Sequence, residues 1–390
     1  MSKTKKSIKA TNRHHSRFWL YLVFSLVILA LGYSLLHYLD SLAGFRAKPF
    51  NVVKPLSRPV LNPKALISPA NVKKSYNLEG KGEGKGTIAI VVAYRNPNTE
   101  SDLATFSSQF GLKSCTKANG CLEVVPMANG IAVNQDWAIE EALDVQWAHA
   151  IAPGAKKLIV QAKSASGNDL LAAVNYARNR SDVVAVSMSW GGNEFSSEGL
   201  YESYFTSPYG ATFFAASGDN GYGTSWPSVS ANVVSVGGTT LNVSNTGSFI
   251  SETAWSGSGG GRSSYVAQPS YQKTYGVASA TNKRATPDVS YNANPSTGYA
   301  VYSSTPYRGY KGWFQVGGTS AGAPQWAAMA AIASPTNVNH GKIYSAAKLP
   351  AQNRLRDIIS GKNGNCLIYC SAQIGYDYVT GLGSPLSTSF

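Results

Sequence analysis

Between Thr87 and Ala216, short apolar runs alternate with segments of helical length, and no other feature of the chain limits its fold as strongly. Thr87–Tyr94, Leu122–Met127, Lys157–Ala162, Val183–Trp190 and Ala211–Ala216 read as strands, and Ser101–Phe110, Gln135–Ala150, Asn168–Arg178 and Ser197–Phe205 as helices. The strands are apolar on both faces, so both faces must be covered, and strands joined through helices run parallel. The expected class is α/β: a doubly wound, mainly parallel sheet flanked by helices. With 390 residues, 43% of them hydrophobic, the chain can bury such a core.

Ligands of open sheets bind beyond the carboxyl ends of the strands. Three such ends stand out: Ser187-Met-Ser-Trp-Gly-Gly192, Ser217-Gly-Asp-Asn-Gly221 and Gly317-Gly-Thr-Ser320. The third opens the stretch Gly317–Pro324, between a strand-like run (Trp313–Val316) and a small-residue segment (Gln325–Ala333) that reads as a buried helix. Strand, Gly-rich turn and helix place Ser320 at a helix N-terminus, where unpaired N–H groups and the dipole favour developing negative charge. That suits a nucleophile. A plain N-cap at Thr319 or Ser320 with a plain tight turn before it fits the same residues.

A serine nucleophile needs a base, and histidine is usual. Beyond residue 64 the chain has only His149 and His340. His340 lies in a polar loop, and His149, in Trp147-Ala-His-Ala-Ile-Ala-Pro153, reads as a core residue. Glu140 and Asp144, four apart on one helix, share a face, and their like charges raise the affinity for a shared proton. An ordinary solvated acidic face is the rival reading, supported by Glu141 and opposed by Trp137, Leu143, Val145 and Trp147.

The N-terminus has a different texture. Met1–Arg17 carries Lys3, Lys5, Lys6, Lys9, Arg13 and Arg17 with no acid, and Phe18–Leu36 is free of charge and about long enough to cross a bilayer. The expectation is a basic cytoplasmic tail (1–17), an uncleaved transmembrane signal anchor (18–39) and a folded domain (65–390) outside the cytoplasm. Between them, residues 40–64 contain Pro49, Pro55, Pro59 and Pro63 and read as an extended tether. The net charge of +14 reflects this tail in part, and no basic run with interleaved aromatics points to nucleic acid. The cysteines form two close pairs, Cys115/Cys121 and Cys366/Cys370, which outside the cytoplasm suggest two local disulfides. Four cysteines allow three connectivities, and a zinc site is disfavoured by the spacing and by the absence of an adjacent histidine.

Taken in order, Glu140-Glu-Ala-Leu-Asp144-Val-Gln-Trp-Ala-His-Ala-Ile-Ala-Pro153, Ser217-Gly-Asp-Asn-Gly221, Gly317-Gly-Thr-Ser320-Ala-Gly-Ala-Pro324 and Gly375-Tyr-Asp377-Tyr-Val-Thr-Gly-Leu-Gly-Ser-Pro385 resemble the sedolisin family, the serine-carboxyl peptidases. The likeness runs from about Ala65 to Phe390 and includes Pro69–Leu78, Ser189-Trp-Gly-Gly192 and Pro287-Asp-Val289. It implies a subtilisin-like fold and an endopeptidase acting on polypeptides in acid. Ser320 would be the nucleophile, Glu140 the general base and acid, Asp144 the group orienting Glu140, and Asp219 the oxyanion-hole donor. It also implies one Ca²⁺ bound by the carboxylates of Asp357 and Asp377 and the carbonyls of Ile358, Gln373 and Gly375, with the Cys366–Cys370 bridge bracing that loop. Gln373 stands where the family usually has glycine.

Members of the family usually carry a large N-terminal pro-domain, whereas here only the tether precedes the catalytic part. The expectations are a domain that folds unaided, one that uses a separate folding or inhibitory partner, or an enzyme not held as a zymogen. Cleavage within the tether would release a soluble form. Two rival functions stay open: a catalytically silent homologue that binds peptides or envelope components, and a Ser-His-Asp hydrolase using His149.

Overall fold

In the computed structural model, which describes residues 19–32, 42, 44–54, 66–278, 282–335, 338–349 and 354–390, the chain forms two compact units, Met1–Phe45 and Arg46–Phe390. In the first unit residues 19–32 are helical. The basic tail and the rest of the expected anchor lie outside the described residues. Among those described, no helix is long and apolar enough to cross a membrane.

The second unit runs β1 (Lys48–Pro49), β2 (Val52–Val53), α1 (Pro69–Ser75), β3 (Thr87–Ala93), α2 (Thr99–Phe110), β4 (Leu122–Pro126), α3 (Gln135–Ile151), β5 (Lys156–Ala162), α4 (Gly167–Arg178), β6 (Val183–Met188), β7 (Trp190–Gly191) and β8 (Thr212–Ala216). There follow β9 (Val233–Val243), β10 (Phe249–Ala254), β11 (Gly261–Ala267), α5 (Ser270–Tyr275), β12 (Lys283–Thr286), β13 (Val289–Asn292), β14 (Tyr299–Tyr307), β15 (Tyr310–Gly317), α6 (Gly322–Ala333) and α7 (His340–Ala347). The main sheet has the order β10-β9-β8-β6-β3-β5-β4, with β13 also on β9. Its pairs are parallel except β10 on β9. All seven residues of β3 are buried, as a central strand covered on both faces requires.

The helices and strands expected up to Ala216 form with ends moved by a residue or two. Glu198–Phe205 winds as a 3-10 helix, and the strand at Val183 stops at Met188. Two larger corrections concern the site. Trp313–Val316 belongs to β15, which pairs with β14 and β2 in a separate three-stranded sheet, so Gly317–Ser320 lies at the end of a hairpin strand. Arg308 and Gly309, both at positive φ, close that hairpin with a two-residue turn, the geometry that matches strand twist.

The tether is the second correction. Residues 55–64 lie outside the described residues, but 46–54 are part of the folded unit: β1 pairs antiparallel with β7, and β2 with β15. Pro-rich composition predicted extended backbone, and extended backbone is what an exposed sheet edge takes up.

Helix α3 is buried over Trp137–Ile151 and packs against β14, α6, α2 and β3. Asn134 caps it, its side chain accepting from the N–H groups of Asp136 and Trp137, and Pro153 follows its end. Glu140, Glu141 and Asp144 are therefore interior, which overturns a solvated acidic face. Helix α6 is buried from Gly322 to Ala331 and packs on β6 and β8, its alanines letting it lie close to the sheet.

Candidate active site

Helix α3 points Glu140 and Asp144 into the space beyond the ends of β6 and β8, where both are fully buried. Ser189, one residue past β6, donates its hydroxyl to Asp144 Oδ1 at 2.8 Å. Asn51 Nδ2 donates to Glu140 Oε2 at 2.6 Å. Glu140 Oε1 and Asp144 Oδ2 are left with no other donor. Like-charged carboxyls four apart on one buried helix face favour a proton held on the pair. Burial first, and then the Asp144 charge, hold the Glu140 pKa well above the usual carboxylate range; burial does the same to Asp144.

Ser320 sits in a 3-10 turn, Thr319–Ala321, that feeds α6. Its hydroxyl donates to the Ser189 carbonyl at 3.1 Å, and it also reaches Glu140, whose ionised form it favours. One hydroxyl proton serves one acceptor at a time, so turning from Ser189 to Glu140 aligns Ser320 Oγ with a base.

Asp219 follows β8 and faces the same turn. Its Oδ1 accepts from the N–H and the hydroxyl of Thr319, both at 2.8 Å, while the buried Oδ2 has no partner. Burial pushes its pKa up to about 7, against the Thr319 hydrogen bonds. Gly318, at φ 102, keeps this corner open: a Cβ there would stand 2.5 Å from Asp219 Oδ2 and 2.3 Å from the Phe50 carbonyl oxygen. That same carbonyl accepts from the Ser320 N–H at 3.0 Å. Below about pH 7 Asp219 keeps a proton that Oδ2 can donate, so this corner offers two donors to one oxygen, the geometry of an oxyanion hole.

The structure thus brings Ser320, Glu140, Asp144 and Asp219 together. His149 is elsewhere: its Nε2 bonds the Lys113 carbonyl at 2.8 Å, and burial pulls its pKa down to about 3. Nine residues past Glu140, it is about 13 Å further along the helix. Its neighbours Cys115 and Cys121 are bonded to each other, which leaves no thiolate for a metal. His340 stacks on Tyr271, with Nε2 3.0 Å from the Val233 carbonyl and near the buried Arg284–Asp288 ion pair. The second disulfide joins Cys366 and Cys370 as expected.

At the C-terminal end, Asp357 Oδ2 accepts from the Gly375 N–H at 2.8 Å and Asp377 Oδ2 from the Gln373 N–H at 3.2 Å, so both carboxyls face one loop. Asp377 Oδ1 also holds the N–H groups of Val379 and Thr380, and its Oδ2 the Thr380 hydroxyl. Burial raises the pKa of Asp357, and that of Asp377 to about 6. The carbonyls of Ile358, Gln373 and Gly375 accept no hydrogen bond from the described residues. Unused carbonyl oxygens beside two carboxyls, that of Asp377 buried and that of Asp357 exposed, are a donor set that a hard cation fits.

Sequence reasoning missed Ser189 as the partner of Asp144, Glu141 as a core residue, and Phe50 and Asn51 altogether. Glu141 accepts from Thr99 and Gln161 on the far side of α3, and burial raises its pKa to about 7. Ser189 was within reach, in a Ser-Trp-Gly-Gly turn at a strand end. Nothing in the tether's composition marked Phe50 or Asn51.

A sequence profile described as the subtilase family matches residues 126–355. The chain is 30% identical to sedolisin of Pseudomonas sp. (strain 101) over 338 residues, 76% of this chain and 56% of that protein. It is 29% identical to kumamolisin of Bacillus sp. (strain MN-32) over 364 residues, 82% of this chain and 62% of that protein. The chain therefore spans under two thirds of the length of these curated relatives. Among solved structures it matches Pseudomonas sedolisin complexed with two molecules of pseudo-iodotyrostatin at a TM-score of 0.70 and 28% identity, covering 82% of this chain and 95% of that one. A lanthipeptide protease structure, 14% identical with a TM-score of 0.51, shares the fold.

Glu140, Asp144, Glu141 and Asp219 all have raised pKa values, so folding takes up protons. Their stability contribution is complete below the unfolded carboxylate pKa of about 4 and is lost as pH rises toward about 7 and beyond. The Ser320→Ala protein, studied so that it cannot digest itself, is expected to melt several degrees higher at about pH 5 than at about pH 8. A melting temperature that rises with pH over that span contradicts these assignments.

Proposed function

The chain belongs to the subtilase family, on its sedolisin branch, and we propose that it is a serine-carboxyl endopeptidase hydrolysing polypeptides in acid. The observation that carries this reading is the buried convergence of the Ser320 hydroxyl, the Glu140–Asp144 pair and the unpartnered Asp219 Oδ2 on one carbonyl-sized corner. Ser320 Oγ attacks the scissile carbonyl while Glu140 takes its proton. Asp144, held by Ser189, stabilises Glu140 in both states. The developing oxyanion is met by the Ser320 N–H and by protonated Asp219. Glu140 returns the proton to the leaving amine, and water then hydrolyses the Ser320 ester by the same route in reverse.

The working form has one proton on the carboxyl pair and one on Asp219. With the Asp219 pKa at about 7, activity falls as pH rises through that region. His149, held by Lys113 and bound to stay neutral down to about pH 3, does not support a Ser-His-Asp reading. Four filled positions gathered in one buried corner speak against a silent homologue. The charge-free run 18–36 with its basic flank supports attachment at a membrane with the peptidase unit outside the cytoplasm.

We also propose one Ca²⁺ at Asp357, Asp377 and the carbonyls of Ile358, Gln373 and Gly375. When bound, it would supply charge neutralisation to the buried Asp377 and the exposed Asp357 carboxylates; these residues would fix the loop that spans residues 373–377.

Two measurements test this reading. On a denatured protein substrate, activity is expected below about pH 7 and absent in Ser320→Ala and Glu140→Gln, a loss of at least about a thousandfold. Asp219→Asn, whose amide donates at every pH, is expected to move the alkaline limit upward while lowering the maximum; an unchanged limit removes Asp219 from the oxyanion role. For the ion, chelation at neutral pH is expected to lower the melting temperature of Ser320→Ala and calcium to restore it, with about 2.7 kcal/mol at a hundredfold excess over the dissociation constant. A chelation-insensitive transition, shared by Asp377→Asn, contradicts the site.

A further inference from the structure

Residues 359–375 fold into one loop whose outer surface is aliphatic. Lys362 and Ser371 form an antiparallel bridge, with the Ala372 N–H donating to the Gly361 carbonyl and the Asn363 N–H to the Cys370 carbonyl, both at 3.0 Å. Carried two residues outward, that register sets Ile359 opposite Ile374, while Leu367 and Ile368 stand at the closed end. Gln373 Nε2 donates to the Ile368 carbonyl at 2.8 Å, which folds the closed end back toward Ile374. Ile359, Ile374, Leu367 and Ile368 are 59%, 87%, 85% and 60% exposed. Single exposed aliphatics are ordinary, whereas four on one loop make a patch that marks an interaction surface.

Folding does not account for leucine at 367. Its φ of 57 lies in the left-handed region that glycine and asparagine enter most easily, and its side chain faces outward. What leucine supplies there is apolar surface. Beside it, the Arg262 guanidinium lies 4.7 Å over the Tyr369 ring, Lys362 is exposed, and the sequence has no acid from Gly361 to Tyr376. Aliphatic side chains flanked by cations suit the boundary between lipid tails and phosphate headgroups.

The loop also lies at a telling place. The Asn363 carbonyl accepts from the N–H of Tyr222, three residues past Asp219, so the patch stands at the carboxyl end of the main sheet, beside the candidate site. The chain that follows the charge-free run 18–36 joins the peptidase unit at the same end, where Arg46 bridges Ser166 beyond β5. Ten steps of chain from Leu36 to Arg46 reach at most about 35 Å.

We propose that this loop is a second membrane contact, with its four aliphatic side chains entering the interface of the bilayer to which the run 18–36 attaches the chain, and Lys362 and Arg262 meeting lipid phosphates. This rests on the membrane attachment proposed above. An anchor alone leaves the peptidase unit free to turn on its link. The second contact holds the carboxyl-end face beside the bilayer, so that polypeptides emerging from that surface are the ones presented to Ser320.

The test uses the full chain carrying Ser320→Ala and Trp19→Phe, the latter removing a tryptophan from the charge-free run itself. It is reconstituted with calcium into vesicles of phosphatidylserine and phosphatidylcholine, the phosphatidylcholine either ordinary or brominated in its acyl chains. Ile368→Trp, Ile374→Trp and Tyr209→Trp are compared with this parent; Tyr209 is exposed and precedes β8, at the opposite end of the sheet. Brominated lipid is expected to quench the added emission at 368 and 374 at least about twofold and to leave that at 209 unchanged. Equal emission in both lipids at 368 and 374, in chains that float with the vesicles, overturns the docking and leaves the attachment standing. Chains that do not float with the vesicles overturn both. Emission unquenched by bromine that shifts with protein density assigns the patch to a second copy of the chain and also overturns the proposal.

Discussion

Putting Glu140 and Asp144 on one buried turn of α3 is the constraint on which the rest depends. Two ionised carboxylates this close and this desolvated would repel, so the pair holds a proton, and every neighbour has to suit that state. Ser189 steadies one carboxyl, Asn51 contacts the other, and the Ser320 hydroxyl lies where the second carboxyl can receive its proton. In the proposed mechanism a carboxyl pair takes the place that histidine fills in other serine hydrolases, which would move the chemistry to acid.

The fold serves this arrangement through strand ends. The central parallel strands deliver Ser189 and Asp219 at their carboxyl ends, and the hairpin strand β15 brings Gly318 and Ser320 in from the side before α6 buries itself against the sheet. Gly318 is the joint: its positive φ turns the chain, and its missing Cβ leaves the room in which a carbonyl oxygen meets the Ser320 N–H. The edges of β7 and β15 remain available for extended backbone, and residues 46–54 occupy both.

Much of this was legible in the sequence, for identifiable reasons. Fully apolar strands separated by helices specify a parallel sheet, the serine turn and Asp219 sit where strand ends put them, and the paired acids share one face of a helix. Glu141 was misjudged because α3 is buried on every side, and a helix with no solvent face carries no amphipathic period from which to tell inward acids from outward ones. The β15 strand was placed in the wrong sheet because apolar runs do not announce their partners. Phe50 and Asn51 escaped because the tether's composition specifies extended backbone and says nothing of what that backbone will pair with.

The central claim is that Glu140 and Asp144 share a proton in the folded protein. Carbon-13 NMR of side-chain carboxyls in Ser320→Ala, with resonances assigned by their loss in Glu140→Gln and Asp144→Asn, follows their titration directly. The account predicts that the two resonances shift together and that the pair keeps a proton well above the ordinary carboxylate range of about 4. Two independent titrations near that ordinary value would contradict it.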